Sequence, residues 1–326
     1  MASFKNSLSR RIALLALIAA PSLAVGGEAV AQAYPSKAIT ILVGSAAGGA
    51  LDAYTRKAGD ALAKLVGQPV IIINRPGAAG DIALSQGAKA PPDGYTILVV
   101  GKYLSANKYL YKSDYDPIAD FVPISQTTTY PMVLVVNPKY PAKTLSEFLA
   151  TARANPGKIN FGNAGVPGKM SMVLLEGLAG VKFTDVPYKS DPDLYTDFLG
   201  GRVDAMMTAS MTAVPRLKSD GSKALGVTSA EEFPPLPGVP PMGKVINGYS
   251  DSFWIGFIAP KGTPQPIVQY LYEKFTEAGK DPDLAKFIVA SGMQPAATTP
   301  AAFAEFIKKD LVVNEKIIRE NKMAAP

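Results

Sequence analysis

The residues best placed to do chemistry form a loop of small side chains, residues 44–49, between a predicted strand and a predicted helix. The strand, residues 39–43, is rich in β-branched residues, and from Leu51 onward apolar residues recur at helical spacing. Such a junction presents backbone N–H groups without helical partners at the positive end of the helix dipole. Because the loop contains no Lys or Arg, its backbone would hold an anion, and the sequence predicts a site for a small carboxylate.

Two further loops of small residues follow predicted strands. Residues 74–81 come after strand 70–73, and residues 162–168 come after strand 158–161. In parallel sheets of α/β proteins, ligands lie beyond the carboxyl ends of the strands, which is where the first two loops are expected. The third loop is the candidate for a second half of the site, since its length suits a loop that meets a ligand.

Strands alternate with helical stretches along most of the chain. Strands at 39–43, 70–73 and 95–100, with helical segments between them, predict a parallel sheet of the α/β kind. The middle of the chain repeats the scheme, with strands predicted at 132–136, 158–161, 181–186, 203–207 and 224–228. A strand at 253–259 and helices at 266–279, 283–291 and 300–321 follow. The sequence therefore predicts two α/β lobes, with the C-terminal helices packed on one of them.

The composition removes several classes of protein. The chain has 326 residues with no Cys and no His, which excludes disulfides, thiolate chemistry, imidazole-based triads and the common zinc sites. The formal net charge is +6, but the basic residues are scattered, so nucleic-acid binding is unsupported. We expect no metal and no cofactor.

The N-terminus has the features of an export signal. Lys5, Arg10 and Arg11 precede an apolar stretch at 12–25, and Ala31-Gln32-Ala33 is a small-x-small cleavage site. Ser9-Arg10-Arg11 partly matches a twin-arginine signal, but Ala13 replaces the usual aromatic residue, which favours ordinary Sec export. We predict a signal peptide at 1–33, cleavage after Ala33, a periplasmic location, and no insertion of the mature chain into the membrane.

Short motifs in a fixed order carry a resemblance to a known family. They are Tyr34-Pro35-Ser36-Lys37, Gly48-Gly49-x-x-Asp52, Asn74-Arg75-Pro76-Gly77-Ala78, Pro92-Asp93-Gly94-Tyr95-Thr96, Val135-Val136-Asn137-Pro138, Val186-Pro187-Tyr188-Lys189, Leu199-Gly200-Gly201-x-Val203-Asp204 and Gly226-Val227-Thr228-Ser229-Ala230. With them, nearly the whole mature chain resembles the Bug or TctC-like receptors, which are periplasmic substrate-binding proteins of tripartite tricarboxylate transport systems.

The resemblance implies a two-lobed periplasmic binding protein of type II-like fold with strands that cross between the lobes. Each lobe would be a mainly parallel sheet flanked by helices. Lobe one would be residues 34–131 plus 254–326, and lobe two residues 132–253. A small organic carboxylate would lie in the cleft, held largely by main-chain N–H groups, and the closed monomer would dock on the membrane components of the transporter.

Several positions depart from the family pattern. Gly44-Ser45-Ala46-Ala47 replaces Pro-Phe-Pro-Pro, and Ala79-Gly80-Asp81 replaces Gly-Gly-Asn, which puts a carboxylate near the expected anion site. Ser190-Asp191-Pro192-Asp193 replaces a run of small residues, while Lys102-Tyr103 and Lys169 stand where small polar residues are expected. These differences affect which carboxylate is bound.

The candidate ligand-binding residues are Ser45, Ala46, Ala47, Gly48, Gly49, Asp52, Ala78, Ala79, Gly80, Lys102, Tyr103, Asn163, Ala164, Gly165, Lys169, Tyr188, Asp191 and Thr208. Several have a second interpretation. Asp52 suits a partner of the helix dipole better than a ligand contact, and Ser45 could equally cap the helix.

Four other candidate residues also have more than one interpretation. Asn163 could bond its own turn, and Tyr188 could be core rather than a stacking surface. Lys102 and Lys169 could each pair with a second ligand carboxylate, although a lone Lys is more often a solvated charge. Asp191 is the position most expected to set ligand specificity.

Three other functions can be weighed against a transport receptor. Ser105-Ala106-Asn107-Lys108 matches the S-x-x-K element of some serine hydrolases, but the accompanying elements are missing. A nucleotide-binding oxidoreductase is disfavoured because residues 44–49 lack the second glycine of G-x-G-x-x-G. A receptor that signals to a membrane sensor cannot be separated from a transport receptor by sequence.

Overall fold

The computed structural model describes residues 34–111, 113–249, 251–321 and 323. The predicted signal peptide, 1–33, lies outside the described residues. Lys37–Pro326 forms one compact unit, and the description below concerns that unit. Among the helices that the structure describes, none combines the length and the apolar composition needed to cross a membrane.

The strands, in chain order, are β1 Ile39–Val43, β2 Val70–Asn74, β3 Thr96–Gly101, β4 Phe121–Tyr130, β5 Met132–Val136, β6 Asn160–Ala164, β7 Thr184–Tyr188, β8 Ala205–Ala209, β9 Lys223–Val227, β10 Phe253–Pro260 and β11 Gln294–Pro295. The α-helices are α1 Ala50–Val66, α2 Asp81–Ala88, α3 Tyr103–Leu110, α4 Leu145–Ala154, α5 Gly165–Ala179, α6 Asp191–Gly200, α7 Ser210–Arg216, α8 Gln265–Ala278, α9 Pro282–Ala290 and α10 Pro300–Glu320. Short 3₁₀ turns lie at Ala78–Gly80 and Met242–Lys244.

The strands form two sheets, and we call each sheet with the helices packed on it a lobe. The sheet of lobe one has the order β11-β4-β10-β3-β1-β2, and the sheet of lobe two has the order β7-β6-β8-β5-β9. Pro131 alone separates β4 in lobe one from β5 in lobe two. The α/β class with two lobes is therefore confirmed, while the exact residue limits of the lobes stay a prediction.

Strand direction refines the expectation of mainly parallel sheets. In lobe one β1, β2, β3 and β4 point one way, whereas β10 and β11 run antiparallel to them. In lobe two β6, β7, β8 and β9 point one way and β5 runs against them. Both sheets are thus mixed. The reversed strands β5 and β10 are the ones that have just crossed from the other sheet, so each enters its new sheet from the opposite end.

Local signals in the sequence account for several helix ends. Gly67 ends α1 in the left-handed conformation with φ 66°, and its N–H donates to the Ala63 carbonyl. The sequence Thr144-Leu145-Ser146-Glu147 has the pattern of a capping box, and Thr144 caps α4 by accepting from the Glu147 N–H. The Glu147 side chain reaches one residue further back than expected, to the Lys143 N–H.

The third glycine loop is the main correction to the predicted elements. The sequence predicts a loop at 162–168, but Gly162, Asn163 and Ala164 belong to β6, and α5 already begins at Gly165. Pro167 lies in the first turn of α5, where proline is tolerated because the N–H groups there have no helical partner. Helix α3 and strand β4, which precede the crossing at Pro131, were not predicted from the sequence.

Helix α5 connects the two cores. Its residues Val166 and Met170 pack into the apolar cluster of lobe one, together with Tyr103 of α3 and Trp254 of β10. The remaining apolar residues of α5, such as Leu175, pack in the core of lobe two. The lobes therefore meet through shared apolar surface as well as through the crossing strands.

Candidate functional site

The predicted anion loop is held in place by Asp52. Its carboxylate accepts hydrogen bonds from the Gly48 N–H at 2.9 Å, from Arg56 Nε at 3.0 Å and from Asn74 Nδ2 at 2.9 Å. Asn74 Nδ2 also donates to the Ser45 carbonyl. Burial acts to raise the pKa of Asp52, but these hydrogen bonds outweigh it and lower the pKa. Asp52 thus holds the loop at the start of α1. This role agrees with a partner of the helix dipole rather than with a ligand contact.

The N-terminus of α1 lies beside a carboxylate of the other lobe. Gly49 is the N-cap residue and has no side chain to cap the helix. Asp191, in the first turn of α6 in lobe two, lies at this helix end, where the Ala50 N–H acts to lower the pKa of its carboxylate. A Cβ placed on Gly49 would lie 3.8 Å from Asp191 Oδ2. The helix end that was predicted to bind an anion therefore contacts one that the chain itself supplies.

Asp191 lies in an unfavourable environment for a charge. Burial raises the pKa of Asp191, while the Ala50 N–H and the charge of Arg216 act in the opposite direction. Burial likewise raises the pKa of Tyr130, with further contributions from the charges of Asp191 and Asp251. Tyr130, at the end of β4 where the chain crosses between lobes, is a residue that sequence reasoning missed.

The second loop of small residues lies against the first. Gly80 has φ 97°, and the preceding Ala78 and Ala79 have φ 43° and 52°, which are strained values for residues with a Cβ. A Cβ on Gly44 would come within 2.8 Å of the Gly80 Cα, so the close approach of the two loops requires glycine at position 44. The predicted proximity of the two loops is therefore observed.

Tyr103 and Asp81 have structural partners near this loop. The Tyr103 ring packs on Gly80, and its hydroxyl donates to the Val99 carbonyl at 2.7 Å. Asp81 accepts a hydrogen bond from Ser113 Oγ, so this carboxylate is engaged within lobe one.

Lys102 is neither a solvated charge nor available to the glycine loop. Its Nζ lies 2.5 Å from Asp251 Oδ1, and the two side chains are only 4% and 3% exposed. Ser171 of α5 donates to the other oxygen of Asp251 at 2.9 Å. A cavity of about 220 Å³ adjoins this ion pair and is also lined by Asp310 and Trp254. The expectation that Lys102 pairs with a ligand carboxylate is therefore corrected, because burial next to Asp251 already supplies the partner.

Asn163 and Lys169 converge on a residue that the sequence did not single out. Asn163 Nδ2 and Lys169 Nζ donate to opposite oxygens of Asp185 on β7. Ala164 and Gly165 mark the passage from β6 to α5. Lys169 is thus part of a half-exposed ion pair within lobe two, and the prediction that it neutralises a ligand carboxylate loses its basis.

The remaining candidates lie around α6 and α7. Tyr188 donates from its hydroxyl to Asp197 at 2.9 Å and packs against the core of lobe two. Thr208 is buried in β8 and faces Tyr195 of α6. The Arg216 guanidinium carbon lies 3.8 Å from the centroid of the Tyr195 ring, a stacking arrangement. Arg216 was also missed, because nothing in its sequence neighbourhood marks it.

Two hydroxyls lie at the carboxyl ends of strands without a hydrogen-bond partner among the described residues. They are Ser45 Oγ, after β1, and Ser210 Oγ, after β8. Ser210 is fully buried. A buried hydroxyl without a partner is costly, so each is an available donor for a bound molecule.

The S-x-x-K tetrapeptide does not form a reactive pair. Ser105 is fully buried and donates to Asp310, while Lys108 forms a half-exposed ion pair with Asp116 at 2.7 Å. Serine and lysine thus have separate carboxylate partners. A nucleophile needs its base within hydrogen-bond reach, and this arrangement does not provide one.

Known proteins match this chain over most of its length. The family model described as "Tripartite tricarboxylate transporter family receptor", TctC, matches residues 54–323. Protein BugT of Bordetella pertussis is 30% identical over 322 residues, which cover 96% of this chain and 98% of BugT. The R. palustris protein Rpa4515, solved with adipate, is 28% identical with a TM-score of 0.85, covering 89% of this chain and 99% of its own. MatC from Rhodopseudomonas palustris, solved with bound malate, is 29% identical with a TM-score of 0.81, covering 87% of this chain and 100% of its own.

Proposed function

The chain belongs to the TctC family of periplasmic solute-binding receptors, and we propose that it captures a small organic carboxylate between its lobes and delivers it to the membrane components of a tripartite tricarboxylate transporter. The family is one of receptors rather than enzymes. The ligand would be held by backbone N–H groups of the loop at 44–49 and of the turn Ala78–Gly80, with the lobes closed around it. The N–H groups of Gly48, Gly49 and Gly80 are not among them, because they donate to Asp52 and to the carbonyls of Ala46 and Gly77.

One observation carries this proposal: the Asp191 carboxylate of lobe two lies at the start of α1 in lobe one, with its Oδ2 3.8 Å from the position that a Cβ on Gly49 would take. This contact supports the view that the start of α1 accepts a carboxylate and that doing so joins the lobes. Ser45 and Ser210 add hydroxyls that lack partners. The carboxylates bound by two structural neighbours, adipate and malate, support the same ligand class.

Thermal unfolding of residues 34–326 against a panel of carboxylates tests the binding step. The panel would contain dicarboxylates, tricarboxylates, amino acids and aromatic acids, with the corresponding alcohols and esters as controls. A ligand present at a hundred times its dissociation constant stabilises the folded state by about 2.7 kcal/mol, which raises the melting temperature by several degrees. Absence of a shift with every carboxylate, in protein shown to carry no retained ligand, would contradict the proposal.

Delivery requires a separate experiment in cells. Deleting the receptor should abolish saturable uptake of the radiolabelled carboxylate identified by the panel, and a plasmid copy should restore it. Uptake that persists at the same rate without the receptor would leave binding intact and refute the transport role.

The predicted export and oligomeric state belong to the same proposal. We expect the periplasmic protein to begin at Tyr34 and to be a monomer. Intact mass spectrometry of the exported protein checks the cleavage after Ala33, and light scattering after gel filtration checks the mass of the particle. A retained N-terminus would contradict cleavage after Ala33, and a dimer mass would contradict the monomeric state.

A further inference from the structure

Asp191 places a negative charge at the point where a carboxylate ligand is proposed to bind. It lies at the first position of α6, and its Oδ2 is 3.8 Å from the position that a Cβ on Gly49, the N-cap residue of α1, would take. The first turn of a helix has further N–H groups without helical partners, so Asp191 and a ligand carboxylate can share this end of α1. In that case the ligand binds next to a fixed anion.

The lysines that could offset this charge are engaged elsewhere. Lys102 is paired with Asp251, and Lys169 is paired with Asp185. Arg216 acts on Asp191 through its charge, but its guanidinium is stacked on the Tyr195 ring. Asp191 is therefore a partly buried carboxylate, and Arg216 is the charge that acts to favour its ionised form.

The negative charge of Asp191 should distinguish ligands with a second carboxylate from ligands with an ammonium group. A second ligand carboxylate near Asp191 would add a like charge in a poorly solvated place, which is unfavourable for both groups. A ligand ammonium would instead form a charge-assisted hydrogen bond with Asp191, and such bonds are among the strongest in proteins. The ligand then carries one carboxylate for the backbone N–H groups and one cation for Asp191.

On this basis, and resting on the proposed function, we propose that Asp191 is a specificity-determining residue that selects a zwitterionic ligand with one carboxylate and one ammonium group over dicarboxylates. In this respect the receptor differs from its structural neighbours solved with adipate and malate. Asp191 receives the ammonium in the closed lobes, and the loops at 44–49 and Ala78–Gly80 receive the carboxylate.

Matched ligand pairs test this inference by isothermal titration calorimetry on residues 34–326. The pairs are succinate and β-alanine, glutarate and 4-aminobutyrate, and adipate and 5-aminopentanoate. Within each pair the number of methylene groups is the same, and only one carboxylate is exchanged for an ammonium. For the pair whose length fits the cleft, the wild type should bind the amino acid at least about tenfold more tightly than the dicarboxylate, a factor worth about 1.4 kcal/mol.

The variant Asp191→Asn keeps the shape of the side chain and removes its charge. It should weaken binding of the amino acid and strengthen binding of the dicarboxylate, so that the preference disappears or reverses. Asp193→Asn is the matched control, because Asp193 is an exposed carboxylate in the same helical turn whose partner is Ser190. This control should retain the wild-type preference. The ratio of two affinities measured on one protein sample does not depend on the fraction that is folded.

The outcomes separate this inference from the proposed function. If the wild type prefers the dicarboxylate, or if Asp191→Asn strengthens binding of both members of a pair equally, Asp191 does not select a zwitterion, although the carboxylate receptor stands. If neither these compounds nor any member of the wider carboxylate panel binds, the proposed function itself fails.

Discussion

Lys102 and Asp251 form a buried ion pair at 2.5 Å that links both lobes through the chain crossing between them. Lys102 follows β3 in lobe one, and Asp251 lies just before β10. Ser171 of lobe two donates to the second oxygen of the same carboxylate. Two charges removed from water are tolerated only with well-placed partners, and the three residues meet that condition together.

Breaking this pair from the lysine side should destabilise the protein strongly. Lys102→Met leaves Asp251 buried without a counterion, and we expect a loss of about 3–5 kcal/mol in the free energy of unfolding. Urea denaturation measures the loss. Lys108→Met is the matched control, because its ion pair with Asp116 is 39% and 41% exposed, and such pairs contribute under about 1 kcal/mol. Equal effects of the two variants would show that the buried pair has no special role.

The contribution of Asp310 to stability should become more favourable as the pH falls. A carboxylate whose pKa is lowered by folding, such as Asp52, contributes in the opposite direction. Burial raises the pKa of Asp310 above its usual 3.8, although hydrogen bonds from Ser105 and Trp254 and the charge of Lys102 act to lower it. The folded state then binds the proton more tightly than the unfolded state does. The contribution of Asp310 to stability therefore improves as the pH falls through its folded pKa toward 3.8.

Trp254 provides a direct reading of that titration. It is the only tryptophan of the chain, and its Nε1 donates to Asp310 at 3.3 Å. Its fluorescence should change in a pH step centred above 3.8, and Asp310→Asn should remove the step. A step that survives in this variant would assign the change to a different group.

Removing the charge of Asp52 should loosen the loop at 44–49. Asp52→Asn replaces one of the two acceptor oxygens with a donor group and removes the ion pair with Arg56, so we expect a loss of about 1–3 kcal/mol at neutral pH together with weaker carboxylate binding. Because the pKa of Asp52 is lowered in the folded state, its stabilisation is present above 3.8 and disappears as the pH falls through the folded pKa. The difference between wild type and variant should shrink accordingly.

Chemical denaturation at several pH values, with calorimetry for ligand affinity, measures both effects. Asp60→Asn alters an exposed carboxylate on the same helix and should change neither quantity appreciably. A variant at Asp52 with full stability and full affinity would remove this residue from the description of the site.

The packing of the Tyr103 ring on Gly80 should be sensitive to a single methyl group. Gly80→Ala puts a Cβ 2.8 Å from the Tyr103 ring at a φ of 97°, and we expect a loss of about 1–3 kcal/mol with a reduced ligand affinity. Gly48→Ala shares the positive φ but meets nothing within 4 Å, so it isolates the backbone strain of about 1–2 kcal/mol. Thermal unfolding of both variants compares them, and the steric account requires the larger loss at Gly80.

Local patterns in the sequence predicted much of the architecture. The strands predicted at 39–43, 70–73 and 132–136 each depend on neighbours within a few residues, and the structure has them all. The resemblance to TctC receptors is confirmed by the family model, which matches residues 54–323.

The charged residues of the site could not be placed from the sequence. Lys102 and Asp251 are 149 positions apart, so neither periodicity nor composition could indicate that they are buried together. The contact of Asp191 with Ala50 also depends on how two lobes meet, although the position of Asp191 was singled out as unusual. The start of α5 was missed because Gly165 and Pro167 are typical of loops, and only packing against lobe one reveals a helix there.

The packing of Val166 and Met170 of α5 in the core of lobe one has a thermodynamic consequence. Any movement that separates the lobes exposes these side chains to water and therefore increases the heat capacity of the protein, as partial unfolding does. The open form should then become relatively more accessible on cooling, where apolar burial contributes less. Temperature, in addition to ligand concentration, would set how often the receptor is ready to take up a new molecule.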